Sequence, residues 1–126
     1  RRVLLAEDNP VNVEVMVDIL TDLGLQVDVA NDGVEAVTKA GQASYDLMLM
    51  DMQMPRMGGL QATRLIRRLP ACATVPILAL TANAFAEDKQ QCTQAGMNDF
   101  ITKPVEPAEL EAILQTWFER AAITPS

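Results

Sequence analysis

The feature of this sequence that most constrains its fold is a fivefold alternation of short apolar runs with amphipathic segments. The apolar runs cover residues 1–6, 26–30, 46–50, 76–80 and 99–102. The segments between and after them repeat apolar side chains at three- or four-residue spacing, which is the spacing of one helix face. They cover residues 11–23, 33–43, 58–69 and 85–95, and a last stretch that begins near residue 107. Strands that alternate with helices in this way predict a parallel sheet with helices on both faces, a doubly wound α/β fold.

Local signals support these boundaries. Asn9 can cap a helix, Pro10 suits the first helical position, and Gly24 stops that helix. The run 46–50 is apolar on both faces, which predicts a central, buried strand. The last helix carries large apolar side chains along one stripe, which we expect to face the core. They are Leu110, Ile113, Leu114, Trp117 and Phe118.

A chain of 126 residues, 49% of them hydrophobic, can bury one core without disulfides or a structural metal. We expect one domain over residues 1–122, with 123–126 as the start of a C-terminal linker or tail. The sequence begins without Met and has an open-ended tail, so we expect it to be a piece of a longer protein.

Composition excludes several functions. A net charge of −7 argues against direct nucleic-acid binding, because that affinity rests on Lys and Arg neutralising phosphates. Two Cys, no CxxC and no His argue against a zinc site and a disulfide framework, and favour the cytoplasm. No apolar run approaches the roughly 20 residues that span a bilayer, so we expect no membrane contact by this domain. Any histidine chemistry must come from outside this chain.

Chemically active residues lie at the ends of four of the five predicted strands: Glu7 and Asp8 after the first, Asp51 ending the third, Thr81 ending the fourth and Lys103 just past the fifth. Singly, each has an ordinary explanation as a helix cap, a strand residue or a surface charge. Asp51 is harder to explain in this way, because a charge at the edge of the most buried strand needs a partner. If the first strand is central in the sheet, these four strand ends lie side by side.

Three carboxylates so close together would repel by about 3 kcal/mol per pair at an effective dielectric near 20. A divalent ion and Lys103 would balance them, and oxygen ligands without Cys or His favour Mg²⁺. Such a cluster suits phosphoryl transfer, in which positioning and charge neutralisation do most of the catalytic work. Asp51 would be the nucleophile, while Lys103 and the Thr81 hydroxyl would hold phosphoryl oxygens.

The sequence around these positions resembles the receiver domains of response regulators, the CheY-like superfamily. The similar motifs are LLAEDN at 4–9, MDMQMPRMGG at 50–59, LTA at 80–82 and FITKP at 100–104. The resemblance covers residues 3 to about 121. It implies a flavodoxin-like (βα)5 fold with strand order 2-1-3-4-5.

The resemblance also implies roles for individual residues. Asp51 would accept the phosphoryl group. Asp8 and Asp51 would bind Mg²⁺ directly, the backbone carbonyl of Gln53 would add a ligand, and Glu7 would act through water. Family knowledge further suggests a cis peptide between residues 103 and 104.

The expected switch involves residues near the phosphoryl group. The Thr81 hydroxyl should move toward it, and Phe100 resembles the family's switch aromatic, although a static core position is an alternative. Gln53 and Asn83 should tune hydrolysis of the phosphoryl group. The helix 85–95 has few large apolar residues, so we expect it to be loosely packed and to form a partner surface with Phe100 and the last helix.

The loops at 7–12, 51–55 and 80–84 most resemble receivers of hybrid sensor histidine kinases. Such a domain takes a phosphoryl group from a kinase phosphohistidine and passes it to a histidine phosphotransfer domain. A stand-alone response regulator is the main alternative. In either setting we expect a monomer or weak dimer that phosphorylates and dephosphorylates itself.

Readings from other classes are less consistent with the residues. An aspartyl-phosphate phosphohydrolase uses a second Asp, two residues after the nucleophile, as a general acid, and this chain has Gln53 at that position. A flavodoxin-like redox carrier wants a Ser-, Thr- and Gly-rich loop where the chain has EDNP at 7–10. A receiver-like module that takes no phosphate conflicts with the intact acidic set, Thr81 and Lys103.

Overall fold

A computed structural model describes residues 1–82, 86–103 and 105–123 of the chain. The strands are β1 Arg2–Ala6, β2 Gln26–Ala30, β3 Leu47–Asp51, β4 Ile77–Thr81 and β5 Asp99–Thr102. The helices are α1 Pro10–Asp22, α2 Gly33–Gln42, α3 Gly59–Arg67, α4 Ala86–Ala95 and α5 Pro107–Ile123. A short 3₁₀ turn at Pro70–Cys72 precedes β4. Phe85, the predicted start of the fourth helix, and residues 124–126 of the predicted tail lie outside the described residues.

The five strands form one parallel sheet in the order β2-β1-β3-β4-β5, which confirms the predicted fold class and strand order. The third strand lies one residue later than the predicted apolar run and ends at Asp51, as predicted. In the register of the sheet, Asp51 lies beside Leu80, and Thr81 lies beside Thr102. The ends that carry the predicted site residues are therefore neighbours.

The core fills both faces of the sheet. Met48 and Met50 face one side, where Ile66 of α3 packs, and Leu47 and Leu49 face the other, where α1 and α5 pack. All four β3 side chains are fully buried. Each such burial contributes about 1.5–3 kcal/mol to folding. The strand that ends in Asp51 is therefore a rigid support, as its apolar sequence predicts.

The start of α1 follows its sequence signals. Asn9 is extended, and its side chain accepts a hydrogen bond from the Val11 backbone N–H at 2.9 Å. Pro10 occupies the first turn, where its missing N–H costs nothing. The helix ends before Gly24, whose φ of +82° is a left-handed conformation that glycine adopts readily.

The amino edge of the sheet is fixed by side chains from distant segments. Arg67, at the end of α3, donates to the carbonyls of Gly96 at 2.9 Å and Val75 at 2.6 Å. It also donates to Asn98 Oδ1 at 2.6 Å. These bonds tie α3 to the segments that enter β4 and β5.

The start of the chain lies against the last helix. The guanidinium of Arg1 is 4.4 Å from the centroid of the Phe118 ring.

In the described part of the chain, no helix has both the length and the apolar character needed to cross a bilayer.

Candidate functional site

The acidic residues predicted from the strand ends lie together at the carboxyl edge of the sheet. Glu7, Asp8 and Asp51 each place a carboxylate oxygen within 4.8 Å of the others. Glu7 and Asp51 are buried, at 1% and 4% exposure, whereas Asp8 is exposed. Together with Thr81 and Lys103 they line a cleft of about 840 Å³. The structure thus brings the predicted site residues into one place.

The turn after β1 holds the acidic pair. The Glu7 backbone N–H donates to the Ala30 carbonyl at 3.0 Å, which continues the sheet pairing for one residue beyond β1. Glu7 Oε1 then accepts from the Asn9 backbone N–H at 3.2 Å. Because Asn9 in turn caps α1, the same turn that starts the helix holds the Glu7 carboxylate in the cleft.

The turn after β3 is fixed just as closely around Asp51. The Gln53 backbone N–H donates to Asp51 Oδ1 at 3.2 Å, and the Met52 N–H donates to the Leu80 carbonyl at 3.1 Å. Gly59 is required for this path, because a Cβ there would lie 2.3 Å from the Asp51 carbonyl oxygen. α3 therefore begins directly against the backbone of the predicted phosphoacceptor.

Lys103 connects the two buried carboxylates. Its ammonium nitrogen lies 3.2 Å from Asp51 Oδ2 and 3.1 Å from Glu7 Oε2. Its backbone N–H donates to the Thr81 carbonyl at 2.8 Å, which places it just beyond the end of β5. Charge balance by Lys103 was expected for the cluster as a whole, and the structure adds a direct ion pair with Glu7.

The cluster is electrostatically incomplete on its own. The pKa of Asp51 is raised to about 6: burial is the main cause and the adjacent Glu7 carboxylate adds to it, while the Gln53 N–H and Lys103 act in the opposite direction. Burial lowers the pKa of Lys103, but its contacts with Glu7 and Asp51 outweigh this and raise the pKa above its usual value. One ammonium group thus faces three carboxyl groups.

These residues fit a hard divalent cation. Among the described residues the donor set is made of carboxylate oxygen atoms from Glu7, Asp8 and Asp51. Lys103 is in contact with two of these carboxylates, Glu7 and Asp51, so one positive charge offsets only part of the negative charge of the cluster. Carboxylates held this close together are costly unless a further cation compensates them. Oxygen donors with few carboxylates suit Mg²⁺.

The predicted switch residues take different positions. Thr81 lies half-buried in the cleft at the end of β4. Phe100 does not line the cleft: it packs, partly buried, at the margin of the core, with the Lys89 ammonium 4.5 Å from its ring centroid. Gln53 is exposed and lines the cleft. Asn83 and Pro104, and with Pro104 the predicted cis peptide, lie outside the described residues.

Other residues at the site were not anticipated from the sequence. Asn12 of α1 and Gln91 of α4 also line the cleft. Asp32, just after β2, caps α2 and pairs with Arg56 of the turn after β3. Helical periodicity places Asn12 in the first turn of α1, but nothing local in the sequence links Asp32 to Arg56.

Comparison with known proteins agrees with this geometry. The family model for the response regulator receiver domain matches residues 3–115, which contain every predicted site residue. The chain belongs to the response regulator receiver domain family. Its strand order and the clustered acidic residues are those that the sequence resemblance implied.

Relatives of this receiver domain include hybrid and sensor kinases. It is 44% identical over 120 residues to hybrid signal transduction histidine kinase B of Dictyostelium discoideum, a match covering 86% of the chain. It is 40% identical over 128 residues to the sensor protein GacS of Pseudomonas syringae pv. syringae, which covers 99% of the chain. The chain spans only 6% and 14% of the lengths of these two proteins.

Solved structures that are similar to this chain are also receiver domains. The receiver domain of sensor histidine kinase PA1611 from Pseudomonas aeruginosa PAO1 has 47% identity and a TM-score of 0.89, covering 94% of this chain and 98% of that one. That structure has a magnesium ion coordinated in its active-site cleft. A co-crystal structure of the Saccharomyces cerevisiae phosphotransfer protein Ypd1 with the receiver domain of Ssk1 matches at 30% identity and a TM-score of 0.89. It covers 97% of this chain and 91% of the matched one.

Proposed function

We propose that this receiver domain accepts a phosphoryl group from a phosphohistidine onto Asp51, in a Mg²⁺-dependent step of a phosphorelay. The observation that carries the proposal is the position of Asp51: buried, paired with Lys103, and within 4.8 Å of carboxylate oxygens from Glu7 and Asp8. A nucleophile, a fixed positive charge and a set of oxygen ligands thus share one cleft. Phosphoryl transfer depends mainly on such positioning and charge neutralisation.

The metal would be held by residues of this cleft. Asp8 and Asp51 would be direct ligands, Gln53 would contribute its backbone carbonyl, and Glu7 would act through water. When bound, Mg²⁺ would neutralise and orient phosphoryl oxygens. The close grouping of the Glu7, Asp8 and Asp51 carboxylates and the magnesium of the related PA1611 domain support this assignment.

The chain's own residues would then act on the phosphoryl group. An Asp51 carboxylate oxygen attacks phosphorus as the P–N bond of the donor phosphohistidine breaks, and the electron pair of that bond returns to the imidazole. The product is a mixed anhydride on Asp51. Lys103, already 3.2 Å from Asp51 Oδ2, offsets the charge that arrives. Attack of water on the same phosphorus would later release phosphate, so the domain would also limit its own signal.

Read-out would begin at Thr81. Its hydroxyl can donate a charge-assisted hydrogen bond to a phosphoryl oxygen, worth roughly 1.5–3 kcal/mol. A bond of that strength can shift a two-state equilibrium about 10- to 150-fold. Movement of Thr81 would reach Phe100 through β4 and β5, whose ends are paired at Thr81 and Thr102. α4, Phe100 and α5 remain the proposed output surface.

The donor and acceptor would be a histidine kinase transmitter and a histidine phosphotransfer domain, in the cytoplasm. Among the described side chains, the large apolar residues that are exposed are Val11, Val15 and Val34. Val11 and Val15 are one turn apart near the start of α1, and Val34 is at the start of α2. Both helices begin beyond the carboxyl ends of their strands, which is the edge of the sheet where the cleft opens, and we call these three valines the apolar rim. An exposed apolar rim beside a charged cleft suits a protein partner that brings a phosphohistidine. The relatives and the co-crystal with a phosphotransfer protein support a role of this kind.

Labelling with radioactive acetyl phosphate tests the assignment. With Mg²⁺, the wild-type domain should acquire a label that is stable to acid and labile to base, as expected for an acyl phosphate. Asp51→Asn should acquire none, whereas Asp46→Asn, which changes a carboxylate at the opposite edge of the sheet, should be labelled normally. A label that persists on Asp51→Asn would refute the proposal.

A further inference from the structure

We propose that Arg56 is a positioning residue, which holds the turn after β3 in its active shape through an ion pair with the buried Asp32. This turn, residues 52–58, contains Gln53, the source of the proposed backbone metal ligand. The part of the inference that concerns the metal rests on the proposed function; the part that concerns the shape of the turn does not.

The backbone at Arg56 is unusual. Its φ of +64° is left-handed, and among residues 1–82, 86–103 and 105–123 no other non-glycine residue has a positive φ. A residue with a Cβ disfavours this conformation and adopts it where surrounding contacts impose it. Some contact of Arg56 must therefore compensate the strained backbone.

The compensating contact is with Asp32. The carboxylate of Asp32 is almost fully buried, and its Oδ2 accepts hydrogen bonds from both Nε, at 2.8 Å, and a terminal nitrogen of Arg56. Its other oxygen, Oδ1, accepts from the Glu35 backbone N–H at 2.8 Å and caps α2. Each oxygen therefore has a separate task, one toward α2 and one toward the turn after β3.

The backbones of the two segments also touch at this point. The Gly33 N–H donates to the Met57 carbonyl at 3.1 Å, and a Cβ on Gly33 would lie 2.3 Å from that oxygen. Arg56 and Asp32 are the chain neighbours of these two residues, so the ion pair closes over the backbone contact. At its other end, the turn is held by the Met52 N–H bond to Leu80. Gln53 lies between these two attachments.

An exposed ion pair alone would be weak evidence, since many contribute nothing measurable. The Arg56 side chain is 65% exposed, but that of Asp32 is only 7% exposed. Loss of Arg56 would leave a buried carboxylate without its cation beside a strained turn, and both effects favour rearrangement of the turn.

Asp32→Asn can keep the α2 cap of Asp32 while it removes the ion pair with Arg56. If the amide oxygen keeps the α2 cap, the amide nitrogen faces the Arg56 guanidinium, so two donors meet and the pair is lost. Arg56→Ala removes the same pair from the other side, and Arg56→Lys should restore part of it. Asp28→Asn is the matched control, because it breaks an Arg–Asp pair, with Arg2, on the outer strand β2.

Mg²⁺ affinity, measured by calorimetry without a phosphodonor, should fall about tenfold in Asp32→Asn and Arg56→Ala. The double variant should bind no more weakly than either single variant, and Arg56→Lys should bind more tightly than Arg56→Ala. In the metal-free protein, amide hydrogen exchange of residues 52–58 should rise in the same variants. Asp28→Asn should change neither measurement.

Two results would overturn the inference. Wild-type affinity and wild-type exchange in Asp32→Asn, confirmed as folded by circular dichroism, would show that the pair does not position the turn. Additive losses in the double variant would show that Arg56 and Asp32 act independently. If the wild-type domain itself bound no Mg²⁺, the proposed function would fail, while amide exchange would still decide the role of Arg56.

Discussion

The Lys103 ammonium nitrogen lies 3.2 Å from Asp51 Oδ2 before any phosphoryl group is present. The cation that would stabilise the product is therefore already in contact with the nucleophile. Because Lys103 also contacts Glu7 at 3.1 Å, it can shift between two carboxylates as charge arrives on Asp51.

Removing the Lys103 ammonium group should slow phosphorylation of Asp51 more than it weakens Mg²⁺ binding. We expect Lys103→Met to lower the rate of phosphorylation by acetyl phosphate about 100-fold at saturating Mg²⁺, because a preorganised charge at the reacting group is lost. Mg²⁺ should bind at least as tightly, since a competing cation has left Glu7. Lys89→Met, a Lys loss on α4, is the control. A normal phosphorylation rate in Lys103→Met would contradict the proposed role.

The buried carboxylate should cost stability at neutral pH. The pKa of Asp51 is raised from 3.8 to about 6, so the folded state binds the proton more tightly than the unfolded state. Stability is therefore lost as pH rises through the window from about 4 to 6. In the metal-free protein we expect Asp51→Asn to be about 1–3 kcal/mol more stable than wild type at pH 7.5. Denaturant unfolding should show this gain shrinking toward zero near pH 4, and an equal difference at both pH values would contradict it.

Metal removal should stop phosphorylation and lower the melting temperature. A ligand that binds only the folded state stabilises by about 2.7 kcal/mol at 100 times its Kd. Excess chelator should therefore abolish labelling and lower Tm, and Mg²⁺ should restore both. Asp8→Asn should lose most of the Mg²⁺-dependent rise in Tm, whereas Asp18→Asn, an exposed acid on α1, should keep it. A rise in Asp8→Asn that equals the wild-type rise would remove Asp8 from the ligand set.

Read-out should be separable from phosphorylation at Thr81. We expect Thr81→Ala to accept phosphate at Asp51 but to lose the phosphorylation-dependent NMR shifts of Phe100 and its β5 neighbours, because the hydroxyl that would donate to the phosphoryl group is missing. Thr116→Ala, which removes a hydroxyl from the exposed side of α5, should retain them. Undiminished shifts in Thr81→Ala would refute the switch role.

Partner docking should depend on the apolar rim of the cleft. We expect Val15→Glu to slow transfer from a phosphorylated histidine phosphotransfer protein at least about tenfold. The exposed Val15 side chain would be buried against that partner in the complex, and a charge would replace this apolar contact. The rate with acetyl phosphate, which needs no protein surface, should stay the same. Thr21→Glu adds the same charge at the far end of α1 and should leave both rates unchanged. Equal slowing with both donors would indicate damage to the cleft itself.

Much of the fold follows from local chemistry. The Asn9 cap, Pro10 and Gly24 bound α1, and an apolar run with no polar face identified β3 as a central strand. The acidic cluster was also predictable, because parallel strands bring their carboxyl ends to one edge. Four of the five strand ends therefore each gave one part of the site.

Contacts between distant turns were not predictable in this way. Asp32 and Arg56 meet only because α2 and α3 pack side by side. Neither helical periodicity nor a capping pattern in the sequence predicts that these two residues are in contact. Arg67 likewise reaches carbonyls of two later segments, where its sequence position indicates only a basic residue near a helix end. Such contacts depend on the finished arrangement of the chain.

The contact of Arg1 with Phe118 has a practical consequence. It puts the first residue and the last turns of α5 at the amino edge of the sheet, while the cleft opens at the carboxyl edge. Polypeptide joined before Arg1 would start from the side opposite the reacting groups. A tether, a reporter protein or an immobilisation tag can thus be attached there, and approach to Asp51 stays open from solution.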